Sequence, residues 1–180
     1  MFSFFLLLIF LYSGYVAYRR GLRYQALSAV GFLISLIIAI GLYRPLSQIL
    51  NLWIPYPSAS RASHFAFFDQ TTGLNLDKSF YAAVSYILLV LVFNLVWHLI
   101  LSGFNDLRFV ESDAKVDKWG AILLSVIMTQ ITCFLILFIL ATIPMNGLQT
   151  MLEHSHLAGA LLRDSPGITP FYINLFVHSV

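Results

Sequence analysis

Four uncharged apolar runs constrain this chain more than any other feature. Phe2 to Tyr18, Ala26 to Tyr43, Phe80 to Ser102 and Trp119 to Ile143 contain no Lys, Arg, Asp or Glu. A hydrocarbon core about 30 Å thick requires about 20 mostly apolar helical residues, with a lower limit near 17, and every run meets it. A single run of this kind fits inside a large soluble protein. Four do not fit here, because the chain is 59% hydrophobic and only 10% charged, whereas soluble domains carry about 25% charged residues. The expectation is therefore an all-α polytopic membrane protein. It has four transmembrane helices, at about 2–18, 26–43, 80–102 and 119–143, in a single domain covering residues 1–180, with a tail from 144 to 180.

The first run does not read as a cleaved signal peptide. Its arginines follow the apolar segment rather than precede it, and large tyrosines stand at its exit, where a small-x-small cleavage site is required. It is expected to remain as a span. Lys and Arg near span ends gather on the cytoplasmic side. Arg19, Arg20 and Arg23 crowd the first connection and Arg108, Lys115 and Lys118 lie in the third, while the longer second connection holds Arg44, Arg61 and Lys78 and the tail only Arg163. This density places connections one and three inside, and both termini outside the cytoplasm.

The connections carry order of their own. After Pro45, the residues Leu46, Ile49, Leu50 and Trp53 form one apolar face at helical spacing. Such a helix suits either the membrane surface or the end of the bundle. Pro55 and Pro57 then break it, and Ser58 to Ser79 reads as loop, with a turn at Thr72-Gly73. In the tail, Leu148, Met151, Leu152, Ala158, Leu161 and Leu162 make a second amphipathic stripe that ends at Ser165-Pro166-Gly167. Thr169 followed by Pro170 reads as an N-cap with proline at the first helical position. This opens a short apolar helix from Phe171 to Val177.

Helices in lipid associate through small residues and interhelical hydrogen bonds. Gly31, Ser35 and Ala39 recur every four residues in the second span, and Ala121, Ser125, Thr129 and Cys133 in the fourth; these are the expected packing faces. The third span carries Asn94, His98 and Ser102 on one face, continued by Asp106. Polar groups within a span are functional candidates, so this stripe is read either as structural hydrogen bonding near the span end or as the candidate polar pathway of a channel or carrier. No embedded carboxylate or lysine is present to share a proton relay with it.

Catalytic patterns are missing. The chain has no nucleophile elbow, no phosphate-cradling glycine loop and no His-Glu-x-x-His. Glu153-His154-Ser155-His156 lacks a third ligand at suitable spacing. No enzyme activity, cofactor or metal is expected. A formal charge of +2 without a basic patch excludes nucleic acid as a partner, and the lone Cys133 lies inside an apolar run, where it packs as a small side chain.

Three passages carry a resemblance. "RGLRYQALS", Arg20 to Ser28, resembles an arginine-glycine turn followed by Glu-Ala-Leu-Ser, with Gln25 in place of the usual glutamate. "VDKWGAILLSVIMT", Val116 to Thr129, resembles an Asp-Arg approach to a last span with small residues every four positions. Asp117 and Lys118 match that approach, Ala121, Ser125 and Thr129 stand where glycines are typical, and Met128 stands where an arginine is common. "SHLAGALLRDSPGITPF" resembles a closing Ser-x-Leu segment, with Ser165-Pro166 in place.

In order and spacing these passages resemble the CvpA family, small bacterial inner-membrane proteins named for colicin V production. The resemblance implies a bacterial plasma-membrane protein linked to toxin production or export and to envelope upkeep. It also points to Arg20, Gly21, Ser28, Asp117 and Lys118 as the motif residues of the cytoplasmic face, where arginine and aspartate are expected to tie the two inner connections together. The expected role is that of a non-enzymatic scaffold. Its partners are the lipid bilayer, other envelope or secretion membrane proteins, and further copies of itself. A small channel on the Asn94/His98 face is the alternative.

Overall fold

The computed structural model describes residues 2–57, 65–68, 76–103 and 114–178. The Thr72-Gly73 turn, Arg61, Asp106 and Arg108 lie outside these residues. Four long helices form a bundle: α1 (Phe2–Arg20), α2 (Leu22–Trp53), α3 (Leu76–Ser102) and α4 (Ala114–Thr142). All four are long and apolar enough to cross a membrane, and the chain is a multi-pass membrane protein. Three short helices follow: α5 (Asn146–Glu153), α6 (His156–Arg163) and α7 (Ile168–Ile173), the last continuing as a π-helical turn, Asn174–His178.

The helices run beyond the apolar runs that define the spans. α2 extends through Pro45, so the apolar stripe at Leu46 to Trp53 is not a separate helix in the second connection but the last turns of α2. At 1.5 Å per residue this helix is about 48 Å long, and its final turns project past a hydrocarbon core of about 30 Å. Leu52 and Trp53 there are largely exposed. At the other end Arg19 and Arg20 are the last turn of α1, and Asp117 is in the first turn of α4. Residues expected in connections are thus helical. Trp53 and Trp119, both exposed, mark opposite ends of the bundle, where interfacial aromatic belts lie.

Sequence neighbours are not the main packing partners. α2 packs chiefly on α3, and α1 on α4, while α1 and α2 touch little although one residue joins them. α1 is accordingly peripheral, with Phe4, Phe5, Leu11, Tyr12 and Tyr15 exposed. Where α1 crosses α4, Ala17 and Ala121 are both fully buried and the Ser125 hydroxyl donates to the Ser13 carbonyl at 3.0 Å. Close backbone approach and one interhelical hydrogen bond are what hold helices together in lipid.

The tail differs from the sequence expectation in two respects. The stripe from Leu148 to Leu162 is broken at His154-Ser155, where the Ser155 hydroxyl accepts from the Ala158 amide and caps α6. α7 begins one residue before Thr169, with Gly167 as N-cap at φ 79°. Thr169 does not cap it; its hydroxyl reaches back to the Leu162 carbonyl at 3.1 Å. Pro170 remains within the first turn, where a missing N–H costs no helical hydrogen bond.

Candidate functional site

The turn between α1 and α2 is a single residue. The Gly21 amide donates to the Ala17 carbonyl, closing α1, and its carbonyl accepts from the Gln25 amide, opening α2, both at 3.1 Å. Its backbone, φ 79° and ψ 164°, lies in a region essentially restricted to glycine. A glycine N-cap has no side chain for the free amides of the first turn. Asp117 of α4 supplies one: Oδ1 accepts from the Leu22 amide at 3.1 Å. Its other oxygen lies 2.9 Å from where a Cβ on residue 21 would stand. The carboxylate also faces the positive end of the α2 dipole.

Two cations of this end lie on tyrosines. Lys118 Nζ donates to the Tyr18 hydroxyl at 3.2 Å and stands 4.7 Å from that ring's centroid, and the Arg20 guanidinium stands 5.4 Å from the Tyr24 ring centroid. Sequence reasoning expected arginine and aspartate to tie the two connections together. Asp117 does join them, but its partner is a backbone amide.

One and two turns into α2, Gln25 and Ser28 are buried. The Gln25 amide donates to Met128 Sδ at 3.5 Å, while Ser28 Oγ has no hydrogen-bond partner. Gln25 and Met128 are the two positions where glutamate and arginine are expected from the resemblance, and the structure places them in contact. A neutral amide against a thioether leaves no buried charge at this contact. No sequence signal linked these residues across the intervening hundred positions.

The packing residues are distributed as follows. Gly31, Ser35 and Ala39 are all buried. A Cβ at Gly31 would stand 2.0 Å from the Trp97 ring, and Trp97 Nε1 donates to the Leu27 carbonyl at 3.0 Å. Gly31 is thus the slot for an indole of α3. Ala121 and Ser125 lie in the α1–α4 contact, and Thr129 is half-buried one turn further on.

Asn94 and His98 are half-buried and Ser102 is exposed, its hydroxyl donating to the Leu99 carbonyl. Asn94 borders a cleft of about 170 Å³ lined by Phe32, Ile87, Leu91, Thr132 and Leu135 among others. The cleft lies between α3 and α4, with an apolar lining that suits hydrocarbon better than a hydrated path.

At the opposite end α7 enters the bundle. Tyr172 and Phe176 are buried among Tyr43, Tyr86, Phe134 and Phe138. Their rings stack or meet edge to face at centroid distances of 5.3 to 6.1 Å. The Tyr86 hydroxyl donates to the Leu36 carbonyl at 3.1 Å and lies 3.3 Å from that of Tyr172, and the Tyr43 hydroxyl donates to the Leu175 carbonyl. Gln149, fully buried, donates to the Ala141 carbonyl in the last turn of α4 and to the Ile143 carbonyl just past it, and accepts from the Ala66 amide. Gln149 stands beside Leu148 in the tail stripe, and no pattern in the sequence singled it out. Among the described residues no group of three His, Cys, Asp or Glu is placed to hold a metal; His154 Nδ1 is occupied by the Thr150 carbonyl at 2.8 Å.

Comparison with known proteins decides the family. The sequence pattern described as "Colicin V production protein" matches residues 2–166. The chain belongs to the colicin V production protein family. The matched region covers the four spans, the Gly21 joint and its Asp117 cap, and ends before α7. An "Uncharacterized transmembrane protein YshB" from Bacillus subtilis (strain 168) is 24% identical over 162 residues, covering 89% of each chain. No solved structure matches.

Proposed function

We propose that this family member is a non-enzymatic interaction protein of the bacterial plasma membrane that serves toxin production or export and envelope maintenance by binding other membrane proteins. The observation that carries this reading is the filled interior. The space between α2, α3 and α4 at one end is occupied by Tyr43, Tyr86, Phe134, Phe138, Tyr172 and Phe176, and at the other the helices are tied by Asp117 across a one-residue joint. A bundle packed in this way presents surfaces rather than a conduit. Much of its apolar surface faces outward, as along α1. The arginine end is assigned to the cytoplasm by the density of Arg19, Arg20, Arg23, Lys115 and Lys118 there. With an even number of spans, both termini then lie outside.

Crosslinking in intact membranes followed by purification tests the interaction reading, and the expected result is recovery of a specific membrane partner. Purified protein in liposomes should pass ions and small solutes no faster than empty vesicles. Flux that His98→Ala abolishes would overturn the scaffold reading in favour of a channel on the Asn94/His98 face.

A further inference from the structure

Asn94 is the polar side chain of α3 set deepest in the hydrocarbon. It lies eight residues from Ser102, about 12 Å along the helix, so neither end of the span is within reach of its short side chain. It is half-buried at the edge of the cleft between α3 and α4, and among the described residues no hydrogen bond satisfies its amide. An unpaired amide in hydrocarbon is unfavourable, because no water is present to satisfy it. Across the cleft stands Thr132, whose hydroxyl donates to the Met128 carbonyl and retains lone pairs for an incoming donor. Leu91 and Leu95 beside Asn94, and Ile136 beside Thr132, are exposed. The cleft thus combines an apolar rim with an unused donor and acceptor at one depth.

An acyl chain would fill the apolar part and leave the amide unsatisfied. A helix from another protein satisfies it only if a polar group happens to lie at this depth. A second copy meets the condition without coincidence. Copies inserted in the same direction are related by an axis normal to the bilayer, and that operation preserves depth, so Asn94 of one copy faces the level of Asn94 and Thr132 in the other. A primary amide both donates and accepts, which is what an isologous twofold contact requires.

We propose that two copies of this chain pair through their α3–α4 clefts, with the Asn94 amides hydrogen-bonded to each other or to Thr132 across a twofold axis normal to the bilayer. The pairing holds whether the assembled protein acts as a scaffold or as a channel, so its test is independent of the function proposed above.

The test measures energy transfer between donor- and acceptor-labelled full-length protein in liposomes of neutral phospholipid, diluted progressively with lipid. Wild-type protein should associate, and Asn94→Leu should need on the order of tenfold more protein per lipid to reach the same transfer, as expected for loss of one or two interhelical hydrogen bonds. Asn94→Gln, which keeps the amide, should recover most of the association and shows that the leucine variant acts through the hydrogen bond. Leu91→Cys and Leu95→Cys, in a Cys133→Ser background, should crosslink between copies, and Tyr12→Cys on the exposed side of α1 should not. The proposal is overturned by monomers at every dilution or by association unchanged in Asn94→Leu. It is also overturned by crosslinking at Tyr12 in preference to Leu91 and Leu95, or by labelling of these two positions with a photoreactive acyl chain in place of a second copy.

Discussion

Gly21 carries two constraints of different origin. Its backbone conformation disfavours any side chain, and the Asp117 carboxylate occupies the place where a Cβ would go. Gly21→Ala should therefore cost about 1–3 kcal/mol of stability from the backbone alone, read as a lower melting temperature in detergent. Asp117→Ala removes the α2 cap and should cost about 0.5–2 kcal/mol, whereas Asp117→Asn, which retains an oxygen acceptor, should cost less. At Gly31 the constraint is steric. Gly31→Ala drives a methyl into the Trp97 indole and should cost about 1–3 kcal/mol, and pairing it with Trp97→Ala should cost less than the sum of the two single changes. Tyr56 provides a pH-dependent contact just beyond α2: its hydroxyl donates to the Thr142 carbonyl at 2.6 Å, and burial, with Asp77 nearby, pushes the phenol up to about 12. The folded value lies above the ordinary one near 10, so the contribution is complete below about pH 10 and is lost as pH rises through about 12. The stability difference between wild type and Tyr56→Phe should be about 1 kcal/mol at neutral pH, shrink above about pH 10 and reverse in sign before about pH 12. Of these residues, glycine and aspartate stood in legible motifs. Trp97 did not, because nothing in an apolar run distinguishes an indole facing lipid from one lying in a glycine slot.

α7 is the element whose placement changes the reading of the tail most. From sequence the segment reads only as a short apolar helix, with no indication of where it docks. Its alternation of Tyr172 and Phe176 on one face gives no indication that the receiving face exists, since Tyr43, Tyr86, Phe134 and Phe138 come from three different spans. Packing, not hydrophobic drive, stabilises such contacts in lipid. Phe176→Ala should leave a cavity costing about 3 kcal/mol, and a thermal melt should show the whole bundle destabilised rather than the tail alone. α2 illustrates the converse. Pro45 ordinarily marks a helix end, yet the helix continues to Trp53 although none of its residues after Tyr43 is buried, so a local signal is overruled without help from tertiary packing. The stripe after Pro45 was correctly periodic; its attachment to the span was not legible because proline carries the same local signature at a break and within a continuing helix.

For the whole molecule, orientation is the prediction of widest consequence. Reporter fusions at Val180 and in the second connection should both register outside the cytoplasm, and cytoplasmic activity at either site would reverse the assignment of the arginine end. By itself the sequence determined that lipid is the solvent and that four helices cross it, because uncharged runs of this length have no other stable environment and helices satisfy their backbone within themselves. It also supplied the motif residues of the arginine end and the family, through patterns that are local in the chain. Only the tertiary structure decided which helices touch: α2 with α3 and α1 with α4, Gln25 against Met128, Asp117 over the Gly21 joint, and α7 inside the bundle. Spacing of small residues marked faces that pack, as at Gly31, Ser35 and Ala39, but in a bilayer every span is apolar on all sides, so periodicity does not say which helix meets such a face. That distinction rests on shape and hydrogen-bond complementarity between distant residues.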